Sequence, residues 1–167
     1  SLMDAWEADL LHTYEQDLKC GSRKEKEAAV RRLSEAGPLP DRIATLVVDL
    51  YEKKQISEFG FLALCRKSSH DALEQALSRA LTRYLDEYEQ RKKVTPEPDL
   101  DLLEVASRIA GERVEPHLRD VFTNQKVSCH SRTFLARILG ESGRSRDSIE
   151  APQYFLAKES GTLQGLA

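Results

Sequence analysis

The chain has 167 residues, of which 25 are basic, 28 acidic and 40% hydrophobic. That length and apolar content suit one globular domain, or one domain with a tail. A formal charge of -3 supplies no global attraction for nucleic acid or an anionic membrane, so contact with either requires a local basic patch.

From Asp4 to Lys19, Trp6, Leu10, Leu11, Tyr14 and Leu18 repeat at helical spacing until Gly21, where a C-terminal glycine belongs. Ser22 with Glu25 has the form of a capping box, and the helix it opens has only a narrow apolar face, Ala28, Ala29, Leu33 and Ala36. Gly37-Pro38-Leu39-Pro40 breaks the helix, and Asp41 is placed to cap a third run with Ile43, Leu46, Val47, Leu50 and Tyr51 on one side. The β-branched content of 43–48 admits a strand, but the flanks and the continuation into Leu50-Tyr51-Glu52-Lys53-Lys54 favour helix. Residues 56–67 hold Phe59, Phe61, Leu62, Leu64 and Cys65, apolar nearly all round, as expected of an element buried between neighbours.

The longest uninterrupted helical pattern is 68–93, with Leu73, Ala76, Leu77, Ala80, Leu81, Tyr84, Leu85 and Tyr88 as its apolar stripe. Ser68 with Asp71 suggests its start, and Arg91, Lys92 and Lys93 its end, giving a length of about 39 Å. Val94-Thr95-Pro96-Glu97-Pro98-Asp99 is a stiff acidic connection dividing the domain into halves. A sixth pattern runs from Leu100 to Ala110. A seventh, after Gly111, carries Val114, Leu118, Val121 and Phe122, with Pro116 in its first turn. The eighth, 128–141, carries Phe134, Leu135, Ile138 and Leu139.

From Ser142 the composition turns to Gly, Ser, Arg and isolated apolar residues. This predicts a 142–167 tail, with Ile149, Tyr154, Phe155 and Leu156 as the residues able to dock it in a groove of the 1–141 helical domain or of a neighbouring copy. The fold expected is therefore all-α, a compact array of about six to eight helices packed as antiparallel hairpins around 68–93, with no exact internal repeat.

Chemistry is sparse. His12, His70, His117 and His130 are isolated from other ligand types at metal-binding spacing, so no metal site is expected. Cys65 sits in the most apolar segment, where thiols pack rather than react. Gly140-Glu141-Ser142-Gly143 lacks the spacing and the preceding strand of a nucleophile elbow, and no phosphate-cradling glycine loop is present. No catalytic residue, cofactor or small-molecule substrate is therefore expected. Cys20, Cys65 and Cys129 are odd in number, widely spaced and without CxxC, which points to a reducing compartment, cytoplasm or nucleus. No apolar run approaches the roughly 20 residues of a membrane span.

The run Leu46 to Cys65 (LVVDLYEKKQISEFGFLALC), followed by a helix ending Tyr84-Leu-Asp-Glu-Tyr-Glu-Gln-Arg-Lys-Lys93, resembles the central helical-repeat domain of translation-initiation scaffold proteins over about 46–93. The resemblance implies stacked antiparallel helix pairs that bind an RNA helicase or another factor, and sometimes RNA.

Two functions are expected from these features. The first is a non-catalytic adaptor or scaffold module that takes another protein or an apolar peptide in a helical groove. The second is RNA or polyanion binding through the wet side of the second helix, with Arg23, Lys24, Arg31 and Arg32 as the basic face. An enzyme assembled from dispersed residues is a third expectation, which a pocket grouping His70 or His117 with a carboxylate would favour.

Overall fold

The computed structural model describes residues 2–142, which form eight helices and no strand. These are α1 (Leu2–Cys20), α2 (Arg23–Leu33), α3 (Asp41–Glu52), α4 (Glu58–Lys67), α5 (Asp71–Arg91), α6 (Leu100–Ser107), α7 (Gly111–Phe122) and α8 (Cys129–Ser142). Ile149, Tyr154, Phe155 and Leu156, the expected docking residues of the tail, lie outside the described residues.

Local chemistry sets each boundary. Gly21 follows α1 with its N–H on the Asp17 carbonyl at 2.8 Å, and a Cβ there would collide with that same carbonyl, so a side chain is excluded. Ser22 then opens α2 as a full capping box: its hydroxyl oxygen accepts the Glu25 N–H and the Glu25 carboxylate accepts the Ser22 N–H, both at 3.2 Å. The β-branched run in α3 is helical because Ile43, Val47, Leu50 and Tyr51 gain burial on one face. Asp41 does not cap it. Pro40 holds the N-cap position in an extended conformation, and Asp41 is the first helical residue, bound through Oδ1 to His70 Nε2 at 2.8 Å.

α3 ends in a Schellman motif. The Lys54 N–H donates to the Tyr51 carbonyl at 3.0 Å, the Gln55 N–H to the Leu50 carbonyl at 2.8 Å, and Lys54 adopts φ 60.

The long helix α5 is shorter than its sequence pattern, about 31 Å for its 21 residues. Ser68 does not start it: Ser68 is the extended C-cap of α4, with its N–H on the Leu64 carbonyl at 2.9 Å. The first turn is capped instead by His70, whose Nδ1 accepts the Ala72 N–H at 3.0 Å. The sixth helix stops at Ser107, and α7 begins at Gly111, which places Pro116 inside the helix rather than in its first turn.

The chain divides into two compact units between Arg79 and Ala80, inside α5, and the 94–99 connection belongs to the second. In the first unit α2 packs on α1 and α4, and α3 on α1 and α4, over a core that includes Leu18, Val30, Leu33, Ile43, Phe61 and Leu64. Tyr51 and Phe61 stack there at 3.9 Å between centroids and 8° between planes. In the second unit α6, α7 and α8 pack pairwise around Leu103, Val114, Leu118, Val121 and Leu135.

One pattern is written twice in the chain. Arg42, Ile43, Val47, Asp49, Leu50 and Tyr51 of α3 recur in α7 as Arg113, Val114, Leu118, Asp120, Val121 and Phe122, all at the separation that carries Ser57 to Ser128. At that same separation Ile56, Ser57, Leu64 and Arg66 recur as Val127, Ser128, Leu135 and Arg137. Every apolar member is buried in both copies. The capping chemistry is also duplicated. Glu27 receives the Ser57 N–H and hydroxyl at 2.5 and 3.0 Å, and Glu97 receives the Ser128 N–H and hydroxyl at 2.5 and 3.3 Å. Each serine hydroxyl oxygen then accepts an N–H from the first turn of its helix, Gly60 at 3.1 Å and Ser131 at 3.2 Å. A carboxylate behind an N-cap suits the positive end of the helix dipole.

Candidate functional site

The residue that departs most from expectation is Phe59. Its neighbours Phe61, Leu62 and Leu64 are buried, as the apolar run 56–67 suggested, but Phe59 is 73% exposed. The helical wheel explains this: Phe59 shares its side of α4 with Ala63 and Arg66, whereas Phe61 and Leu64 fall on the core side.

Phe59 stands at a groove of about 310 Å³ between α2 and the start of α4. Lys24, Glu27, Ala28 and Arg31 line it from α2, and Ser57, Phe59, Gly60 and Ala63 from α4 and its cap. The α2 residues share one face because they are three, four and seven positions apart. The two helices come close at Gly60, where an added Cβ would stand 3.2 Å from Glu27 Oε2 and 3.3 Å from Ser57 Oγ. The small residues Ala28, Gly60 and Ala63 therefore leave a trough, with an aromatic ring on one wall and two long cations on the other.

The four expected basic residues do not act as one face. Arg23 is drawn into the framework, with Nη1 donating to the Lys54 carbonyl at 2.8 Å and Nε 4.0 Å from Glu27. Lys26 likewise reaches the Gln55 side chain at 3.0 Å, so α2 grips the turn after α3. Lys24 and Arg31 line the groove, exposed and without a side-chain hydrogen bond or ion pair among the described residues. Arg32 is exposed and is not part of the lining. Glu27, the groove's acid, has both oxygens engaged by Ser57. The lining thus carries two cations against one committed carboxylate.

The histidines resolve differently. His70 does meet a carboxylate, Asp41, but the Asp41 side chain is 98% exposed and His70 Nδ1 is occupied by the Ala72 N–H. That bond fixes Nδ1 as acceptor, so in the neutral ring Nε2 holds the proton and donates it to Asp41. The pair caps α5. His117 is buried between two tyrosine rings, 5.2 Å from Tyr84 and 4.7 Å from Tyr88, both edge-on, with no carboxylate among the described residues hydrogen-bonded to it. Burial pushes its pKa down to about 4. Burial likewise pushes the Cys65 thiol up to about 12, so it is a thiol rather than a thiolate at neutral pH.

Among the described residues no group of three or more His, Cys, Asp or Glu side chains is arranged to hold a metal ion, and no helix is long and apolar enough to cross a membrane. Compared with known proteins, the chain matches no family, and no curated protein or solved structure is similar to it.

Proposed function

We propose that the chain is a non-catalytic protein-interaction module whose working surface is the α2–α4 groove. The observation that carries this reading is Phe59, an aromatic ring left in water beside a small-residue trough and two cations without an ion-pair partner among the described residues. Aromatic side chains anchored in such settings dominate interface energetics, and an exposed ring adds nothing to its own core. Helical grooves commonly receive a helix or short segment of another protein. The partner implied by the resemblance over 46–93, a helicase or another translation factor, belongs to this reading, as does a reducing, intracellular setting.

The test is capture with the full chain and with Phe59→Ala. A partner held by the wild type, lost with the variant and reconstituted from purified components supports the reading. A partner set indifferent to Phe59 removes the groove from it, provided circular dichroism shows both chains equally helical.

The alternative is polyanion binding through Lys24, Arg31 and Arg32, favoured by their exposure on one helix. It requires binding that weakens steeply with added salt, because displaced counterions drive it. Loss of Phe59 leaves such binding largely unchanged.

A further inference from the structure

We infer that the α2–α4 groove takes an acidic amphipathic helix of a partner protein, with an apolar side chain seated against Phe59 and two carboxylates paired with Lys24 and Arg31. This rests on the interaction reading and adds the chemistry of the ligand.

The internal duplication separates what the fold needs from what it does not. Glu27, Ile56, Ser57 and Leu64 have counterparts of like chemistry in Glu97, Val127, Ser128 and Leu135, and these positions pack or cap in both copies. Phe59 does not. At the separation that carries Ser57 to Ser128, Phe59, the second residue of α4, falls on His130, the second residue of α8. Packing therefore does not dictate an aromatic ring at Phe59, since the same helix start is built with an imidazole in its place.

Geometry gives the spacing of the ligand. Lys24 and Arg31 are two turns apart on α2, about 10.5 Å along its axis. α4 approaches α2 at Glu27, between them, and Phe59 adjoins the Gly60 contact. A partner helix lying along the groove matches this with carboxylates seven positions apart and one apolar side chain at the intervening turn. An extended strand fits less well, because at about 3.3 Å per residue its same-face positions fall near 6.6 and 13 Å.

Charge gives the sign. With both Glu27 oxygens engaged by Ser57, Lys24 and Arg31 repel a basic segment and pair with an acidic one. The chain's own segment 149–156 carries a single acid, Glu150, and so lacks the matching pair.

The test titrates the full chain into a fluorescent alanine-based helical peptide with glutamates seven positions apart and a leucine midway, read by anisotropy. The expected result is binding that falls at least about tenfold when the peptide glutamates become lysines, and by a similar factor with Phe59→Ala. The double variant K24E/R31E should reverse the preference, binding the lysine peptide better. Equal affinity for the two peptides, or no binding of either, overturns the inference; if the partner captured above still depends on Phe59, the interaction reading survives with another occupant. Tighter Phe59-dependent binding of a peptide of sequence 149–156 overturns it in favour of the chain's own tail. Single-stranded RNA that displaces the peptide from the wild type and binds Phe59→Ala equally well overturns it in favour of a polyanion.

Discussion

The Tyr84 hydroxyl lies 2.8 Å from His117 Nε2, while its oxygen accepts the Asp99 N–H at 3.4 Å. Burial keeps the His117 ring neutral, and the tautomer decides whether the ring or the hydroxyl donates in this contact. With a folded pKa of about 4, against about 6.5 for a free imidazole, the unfolded chain binds the extra proton between those values. The contribution to stability is therefore whole above pH 6.5, is lost progressively as pH falls to 4, and amounts to about 3 kcal/mol at most. Urea unfolding at a series of pH values should show this slope, and His117→Gln should flatten it.

Tyr84→Phe removes the hydroxyl and leaves Nε2 of a buried imidazole without its hydrogen bond. The expected cost is about 1–3 kcal/mol at neutral pH, the range for an orphaned buried polar group. A thermal melt that loses nothing would show that His117 finds another partner.

Ser57→Ala and Ser128→Ala each delete an N-cap hydroxyl and one bond to the glutamate behind it. Each should cost about 0.5–2 kcal/mol. Their effects should add within about 0.5 kcal/mol, because the two caps share no partner. The Ser131 hydroxyl at 2.6 Å, with the Ser128 N–H and hydroxyl, holds the Glu97 carboxyl below its usual range. Its stabilising effect is present above the ordinary glutamate range and fades as pH falls through the lower folded value.

These caps mark the limit of what the sequence discloses. The Ser22–Glu25 box was legible because both partners lie within four residues. Ser57 and Glu27 are 30 apart, and nothing local in the sequence announces their pairing. The Ser68–Asp71 pattern misled for a related reason: Ser68 is committed to the end of α4, so the same letters served a different helix. Eight helical segments were readable, seven from apolar periodicity and 56–67 from an apolar run, since burial of apolar side chains is what holds them in place. Phe59 was not, because hydrophobicity alone does not say which face of an apolar helix is left uncovered. The duplication was hidden by substitutions that keep apolar volume but not identity, and by a one-residue slip between the Glu27–Glu97 and Ser57–Ser128 separations.

Lys54 holds φ 60 at the position where a Schellman motif favours glycine. A side chain in this conformation costs about 1 kcal/mol, and Lys54 is exposed with its carbonyl, not its ammonium, bound to Arg23. Lys54→Gly should therefore raise stability by about 0.5–1 kcal/mol without disturbing the Arg23 contact. An unchanged or lower melting temperature would count against the strain.

Gly60→Ala sets two effects against each other. Alanine is the better helix former, by up to about 1 kcal/mol in a helix interior and less in a first turn. The new methyl, however, stands 3.2 Å from Glu27 Oε2 and 3.3 Å from Ser57 Oγ, so those atoms must recede. Glu27 is tied to Ser57 at two points and cannot recede without loosening the α4 cap. Crowding should win, lowering stability by about 1 kcal/mol. In a Glu27→Ala background the obstruction is gone, and Gly60→Ala should become neutral or stabilising. The double-mutant cycle, read by denaturant unfolding, isolates that coupling. If Gly60→Ala has the same effect in both backgrounds, the close approach at Gly60 does not depend on the Glu27 carboxylate.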